Sequence, residues 1–283
     1  RLNKEQKQRQ SIQVRLEKFR TLITPYVSPE FISSDGDLAA YTRKRLSVLF
    51  VDMEGFTRLM DTADEFLVAG MLNRYFEVMT EAASKHGGTV NKFMCDGVMV
   101  FFGDPETNGE REDALACVEM AARMQSRIVE LQSYWKKLGI KDSMQVRMGI
   151  STGFCTVGDF GSTQRLDYTA FGSPVNLAAR LQDLAPAGGI LISDATQSLI
   201  GDDVDSESYQ TITPKGFARA VDTFILTSHD LKTRVGNSLK FQKLGSRVSI
   251  DIFDTSDIRA AIAELKEIEL EFEQLANLAD IEN

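Results

Sequence analysis

The run Leu46-Ser47-Val48-Leu49-Phe50-Val51 stops abruptly at Asp52, and Met53-Glu54-Gly55-Phe56-Thr57 follows. A short, apolar, β-rich run of this kind predicts a strand buried inside a sheet. The chain must therefore cover that strand and leave a carboxylate at its end, before a glycine turn and a helix start. The flanking pattern supplies the cover. Residues 62–86 predict a helix with Phe66, Met71, Leu72, Tyr75, Phe76 and Met79 on its apolar face, stopped by Gly87-Gly88. Thr89 to Cys95 and Val98 to Phe102 predict two strands joined at Asp96-Gly97, a hairpin signal. A long helix is expected over about residues 110–138. Strands are expected from Met144 to Ser151 and Phe154 to Val157, a turn from Gly158 to Thr163, and a strand from Arg165 to Phe171. A helix over 173–184 and a strand from Gly189 to Ile192 come next, and Phe217 to Leu226 closes the compact part. This order predicts an α+β, ferredoxin-like fold, a mostly antiparallel sheet backed by helices.

Three regions are expected. Residues 1–42 form a helical linker or coiled coil, with Ile12, Leu16 and Phe19 at helical spacing, and then a short helix at Ser28-Pro29-Glu30. Residues 43–229 form the compact domain. Residues 230–283 form a C-terminal extension whose amphipathic helix starts near Ser256 and carries Ile258, Ile262, Leu265, Ile268, Phe272 and Leu275. The chain opens on Arg1, so an upstream sensor or membrane domain is expected before it.

A net charge of −9 argues against a nucleic-acid partner held on a broad basic face. No apolar run approaches the roughly 18–20 residues of a membrane helix. Cys95, Cys117 and Cys155, with no CxxC, argue against a disulfide framework or zinc site and read as small buried side chains. A cytoplasmic location fits, including the cytoplasmic part of a membrane-anchored protein.

Asp52 at a strand end and Asp96 on a hairpin turn are the first chemical candidates. Each has a plain alternative, as a cap or as turn chemistry. Two convergent carboxylates suit hard cations that share oxygen ligands with phosphates, and a two-metal site suits in-line displacement at phosphorus. Lys92 and Asp96 share a face if the strand is regular. Asn176 and Arg180, four apart on one helix, are otherwise a solvated polar pair. Lys215 is otherwise an exposed lysine before a turn glycine.

Leu49 to Thr57 closely resembles the first metal motif of the class III nucleotidyl cyclases. Lys92 to Asp96 resembles their second motif, and Arg147-Met148-Gly149-Ile150-Ser151-Thr152-Gly153 a signature strand. Gly172-Ser173-Pro174-Val175-Asn176-Leu177-Ala178-Ala179-Arg180-Leu181 is similar to their Asn/Arg helix, and Pro214-Lys215-Gly216 to their late Lys-Gly turn. The motifs stand in family order over roughly residues 43–227.

The resemblance implies a class III cyclase fold and an adenylyl cyclase that forms cyclic AMP and pyrophosphate from ATP with two Mg²⁺ or Mn²⁺ per active site. It implies metal binding by Asp52, Asp96 and the Met53 carbonyl. Triphosphate contacts fall to the backbone of Glu54, Gly55, Phe56 and Thr57, with Arg147 and Lys215. Asn176 orients the ribose, and Arg180 stabilises charge at the α-phosphate. Lys92 and Thr169 choose adenine, the lysine donating to N1 and the threonine accepting from the 6-amino group. Thr at that place is the variant of a largely bacterial subgroup, some of whose members respond to bicarbonate or CO₂. Each site is expected to straddle a homodimer, with the Asp pair from one subunit and Lys92, Thr169, Asn176 and Arg180 from the other. A guanylyl cyclase, a diguanylate cyclase and a catalytically silent cyclase-like module are the competing readings. The Lys92/Thr169 pair argues against the first, and the lack of a GGDEF-like turn against the second.

Overall fold

A computed structural model describes residues 41–140, 142–162, 165–217, 219–226, 241–244 and 249–252, with residues 259, 262 and 265–266. The linker expected over residues 1–42 and the helix expected from Ser256 lie almost wholly outside these. The chain divides into two compact units. One takes the described residues up to Gly201 together with Ser208–Ile225, and the other takes Asp202–Glu207 with the described residues from Leu226 onward.

The elements of the first part follow in order: β1 (Thr42–Glu54), α1 (Phe56–Thr62), α2 (Glu65–Lys85), β2 (Thr89–Met94), β3 (Gly97–Phe102) and α3 (Glu110–Lys137). Then come β4 (Gln145–Ser162), β5 (Arg165–Phe171), α4 (Ser173–Leu184), β6 (Ile190–Ser193), α5 (Asp194–Ile200), β7 (Ser206–Ile212) and β8 (Val221–Leu226). A separate two-stranded ribbon pairs β9 (Phe241–Leu244) with β10 (Ser249–Ile252). The main sheet runs β2-β3-β1-β4-β6-β8-β7, with β5 paired to β4 off this path. The pairs β1–β3, β1–β4, β2–β3, β4–β5 and β6–β8 are antiparallel, while β4–β6 is parallel. The expected α+β architecture is present.

The run that opened the sequence is the middle of this sheet. Leu46 and Val48 enter a cluster with Met99, Phe101, Cys155, Val157, Ala170 and Ala178. The alternate residues Ser47, Leu49 and Val51 are buried as well, so β1 is covered on both faces. α4 packs on β1 and β4, and α3 packs on β1, β3 and β4. The one polar residue of the run is satisfied: the Ser47 and Thr152 hydroxyls are 2.8 Å apart across their register position, and Thr152 continues to Thr196 at 3.0 Å. Each such bond is worth about 1 kcal/mol net, and leaving the buried hydroxyl unpaired would cost about 1–3 kcal/mol.

Several expectations need correction. The helix expected over 62–86 is α2, whose start is set at Glu65 by the Asp64 side chain, which accepts from Phe66 N at 3.0 Å and Leu67 N at 3.2 Å; Thr62 instead ends α1. Phe66 does not share the apolar face. It is 90% exposed, half a turn around α2 from the buried Tyr75. The two strands expected over 144–157 and the turn at 158–163 are one strand, β4, through Ser162. Gly158 pairs with Thr169 and Gly161 with Leu166, so both glycines, at φ 159 and 145, stand in the ladder and mark strand positions, not a turn. Cys117 and Cys155 are buried as expected, but Cys95 is exposed at the hairpin tip. Among the described residues no helix is long and apolar enough to cross a membrane.

Candidate active site

Asp52 is carried to the edge of the core by β1, where its register partner on β4 is Arg147. The Arg147 Nη2 donates to Asp52 Oδ2 at 2.7 Å. Its Nε lies 2.9 Å from Glu54 Oε2, an ion pair without hydrogen-bond alignment. Burial works to lower the Arg147 pKa, but the bond to Asp52 and the charges of Glu54, Asp52 and Asp183 outweigh it and hold the guanidinium charged.

Asp96 reaches the same place from the β2–β3 hairpin. Met94 pairs with Gly97, so the loop is Cys95-Asp96. Its first residue has φ 58, a left-handed conformation that a glycine would adopt at less cost. Gly97 lets the hairpin close onto β1, since a Cβ there would stand 3.2 Å from the carbonyl oxygen of Val51. Burial, then the Asp52 charge, push the Asp96 carboxyl up to about 6. A hydrogen bond with the Asp52 side chain adds to that rise, while backbone hydrogen bonds at Asp96 and Met53 oppose it. The charge of Asp52 thus acts on Asp96, and the two carboxylates converge on one place.

Lys92 and Asp96 were expected on one face of a regular strand. The strand is not regular: the β2–β3 register shifts between Val90 and Lys92, and β2 ends at Met94. Lys92 is exposed, and its neighbour Asn91 reaches β5 instead. The Asn91 Nδ2 donates to the Tyr168 carbonyl at 2.7 Å, and its Oδ1 accepts from the Thr169 hydroxyl at 2.8 Å. Thr169 is only 4% exposed.

Asn176 and Arg180 are both exposed on α4, and Arg180 pairs with Asp183 at 3.3 Å. The helix is clamped to β4 by Gly149, where a Cβ would stand 2.2 Å from Ala178 O and from Gln182 N. Among the described residues, no hydrogen bond or ion pair joins Asn176 or Arg180 to Asp52 or Asp96. Lys215 is exposed in a turn closed by Phe217 N to Pro214 O at 2.9 Å, with Gly216 at φ 92. Gly55, with φ 79, starts α1, and the amides of Phe56, Thr57 and Arg58 precede the first helical bond, Leu59 N to Gly55 O. Glu54 and Thr57 are exposed, while the Met53 and Phe56 side chains are buried.

The structure thus gathers Asp52, Asp96, Arg147 and Glu54 into one cluster, links Asn91 beside Lys92 to Thr169 in a second, and leaves Asn176, Arg180 and Lys215 at the surface. Sequence reasoning missed three groups. Asn91 was visible only as the residue before Lys92. The Glu54 side chain was overlooked in favour of its backbone. Tyr75 was counted as apolar, yet its buried hydroxyl has no hydrogen-bond partner among the described residues, and the charges of Asp96 and Asp52 reach it.

Known proteins share this arrangement of elements. The profile of the adenylate and guanylate cyclase catalytic domain matches residues 38–228. The crystal structure of the adenylyl cyclase CyaB from P. aeruginosa is 43% identical, covers 67% of this chain and 96% of that chain, and superposes with a TM-score of 0.65. The guanylyl cyclase Cya2 is 33% identical over 66% of this chain and 93% of that chain, with a TM-score of 0.63. Adenylate cyclase 1 of Rhizobium meliloti is 30% identical over 192 residues, 67% of this chain and 28% of that protein. The chain spans about a quarter of the length of such curated relatives: its match to a Mycobacterium tuberculosis protein takes in 24% of the latter. With the sheet order, the converging aspartates and the Gly149-clamped helix in place, the chain belongs to the adenylate and guanylate cyclase catalytic-domain family.

Proposed function

We propose that this domain is an adenylyl cyclase. It converts ATP to 3′,5′-cyclic AMP and pyrophosphate by in-line attack of the ribose 3′-oxygen on the α-phosphorus, in two sites shared across a homodimer. The observation that carries the choice of ATP is the junction of β2 and β5, where Asn91 ties the Lys92 segment to the buried Thr169 hydroxyl. Lys92 donates to adenine N1, which accepts, whereas guanine N1 carries a proton and opposes it.

The converging carboxylates suit hard divalent cations. They offer oxygen donors only, and the raised Asp96 carboxyl beside the Asp52 charge marks a place where positive charge is wanted. Asp52, Asp96 and the Met53 carbonyl would hold two Mg²⁺ or Mn²⁺. Such ions, when bound, lower the pKa of an attacking hydroxyl and neutralise phosphate charge. The first amides of α1 and the guanidinium of Arg147 bind the triphosphate, the latter exchanging Asp52 for phosphate oxygens, and Lys215 adds a point charge. Asn176 orients the ribose, and Arg180 of the opposite subunit stabilises charge on the α-phosphate.

The need for a second subunit is supported by the exposure of Asn176 and Arg180, which no hydrogen bond or ion pair among the described residues joins to Asp52 or Asp96, and by the exposed aromatic rings of Phe154 and Phe171 on β4 and β5. A cytoplasmic setting, where ATP and Mg²⁺ are abundant, belongs to this reading, as does an upstream sensor acting through residues 1–42. A guanylyl cyclase is the second reading, favoured by the 33% identity to Cya2. The test is the cyclic nucleotide formed from ATP and from GTP with Mg²⁺ or Mn²⁺. Cyclic AMP that disappears in Asp96→Ala is the expected result. Cyclic GMP as the main product would establish the second reading, and no product from a dimeric chain would reject both.

A further inference from the structure

We infer that Asn91 is a positioning residue that sets the polarity of the Thr169 hydroxyl, making it a pure acceptor for the purine 6-position. The inference rests on the reading of Thr169 as the group that meets that position, and adds what decides its direction.

The argument runs through groups whose roles are not interchangeable. A backbone carbonyl only accepts, so the Asn91 atom 2.7 Å from the Tyr168 oxygen must be the amide nitrogen. That orientation leaves the amide oxygen facing Thr169 at 2.8 Å. The amide oxygen also only accepts, so the Thr169 hydroxyl spends its single proton there. What the hydroxyl keeps is its lone pairs. A ligand group that donates is welcome, as the 6-amino group of adenine does. A group that only accepts, as the 6-oxo group of guanine does, meets oxygen against oxygen. Thr169 is 4% exposed, so bulk water does not reorient it. A threonine hydroxyl alone is ambiguous and can turn to suit either purine; its fixed neighbour removes the ambiguity.

The fold shows why the asparagine can reach. It stands where the β2–β3 register shifts, between the paired residues Val90 and Lys92, and such irregularities re-aim a side chain. The strand it reaches is anchored too. The Tyr168 hydroxyl donates to Asp104, and Lys44 donates to the other oxygen of that carboxylate. Asp104 is itself 4% exposed. The Tyr168 carbonyl is thus held by a buried ion-paired group rather than by a loose strand.

The experiment compares binding of 3′-deoxy-ATP with binding of 3′-deoxy-ITP, which carries a 6-oxo group in place of the 6-amino group. Both lack the attacking oxygen, so the readout is independent of turnover. Their affinity ratio does not depend on the fraction of folded protein. In the wild type the 6-amino form should bind more tightly, by about threefold to tenfold for the Thr169 contact alone, the worth of one buried hydrogen bond. Thr169→Val should reduce that preference to the part that Lys92 supplies at N1. Asn91→Leu frees the hydroxyl to donate to the 6-oxo group, so it should reduce the preference as far as Thr169→Val does, with no further change in the double variant. An Asn91→Leu protein that binds both nucleotides more weakly but with the wild-type ratio would overturn the inference and make Asn91 purely structural. A Thr169→Val protein with the wild-type ratio would instead show that Thr169 is not the 6-position contact. Failure of the wild type to bind either nucleotide would reject the nucleotide site as a whole.

Discussion

Arg147 and Asp52 face each other across the β1–β4 register and share a 2.7 Å hydrogen-bonded ion pair. The guanidinium therefore sits on a carboxylate that the proposed reaction needs for a cation. Arg147→Gln should separate two quantities that usually fall together. Mn²⁺ affinity without nucleotide should rise severalfold, because a competing positive charge is gone. The kcat/KM for ATP should drop about tenfold to a hundredfold, the loss of one charge-assisted bond of roughly 1.5–3 kcal/mol. Calorimetric titration of Mn²⁺ beside steady-state rates checks both. Parallel loss of the two would show that Arg147 holds the site together instead of competing for it.

Asp96 predicts a pH dependence with a definite sign. Its carboxyl is raised to about 6 in the folded chain, from an ordinary value of 3.8. Between those values the native state holds a proton that the unfolded state does not, so this group's stabilising contribution is present below pH 4 and is lost as pH rises through 6. In chelator, the melting temperature of the wild type should fall relative to Asp96→Asn over that interval. Divalent-cation affinity should run the other way, weakening as pH drops below 6, because the cation must displace the proton.

Cys95 occupies a left-handed backbone conformation at the tip of the hairpin that carries Asp96. Cys95→Gly should stabilise the domain by about 1 kcal/mol, the penalty an L-residue bears there less the entropy cost of glycine. Cys95→Val, branched at Cβ, should destabilise it. Thermal melts of the two variants read the difference directly, and equal melting temperatures would mean the hairpin relaxes around either side chain.

Gly149 is a contact point between β4 and α4 rather than a turn. In Gly149→Ala the new methyl would stand 2.2 Å from backbone atoms of Ala178 and Gln182, which have no rotamer by which to move aside. A loss of about 3 kcal/mol or more is expected, with displacement of the helix that bears Asn176 and Arg180. Hydrogen exchange along α4 would locate the damage; unchanged protection there would contradict the clamp.

A chain carrying Asp52→Ala mixed with one carrying Arg180→Ala should regain activity that neither has alone. Random pairing of equal amounts leaves about a quarter of the sites intact, since half the dimers are mixed and each has one good site of two. Absence of recovery in a mixture shown to exchange subunits would place both residues in a single-subunit site.

Local pattern was enough for most of the secondary structure. The 46–51 run, the 89–102 hairpin and the 173–184 helix are legible because burial, turn chemistry and helical period act within a few residues. The ordered motifs were enough to suggest the family. Local pattern failed where pairing overrides it. Gly158 and Gly161 look like a turn but are held in the ladder by β5. Phe66 looks like core but lies on the far face of α2, half a turn around the helix from Tyr75. The regular strand assumed between Lys92 and Asp96 is broken by a register shift.

What the sequence alone determined was the set of chemical groups and their order: two acids, four basic residues, an amide and a hydroxyl on recognisable elements. Only the tertiary structure decided which of them meet. Asp52 and Asp96 come together because β1 and the hairpin end side by side. Arg147 rests on Asp52 because thirteen register pairs bind β1 to β4. Thr169 receives its direction from Asn91, a residue of another strand. Sequence spacing fixes which residues can share an element, whereas the distance between elements depends on how all of them pack at once.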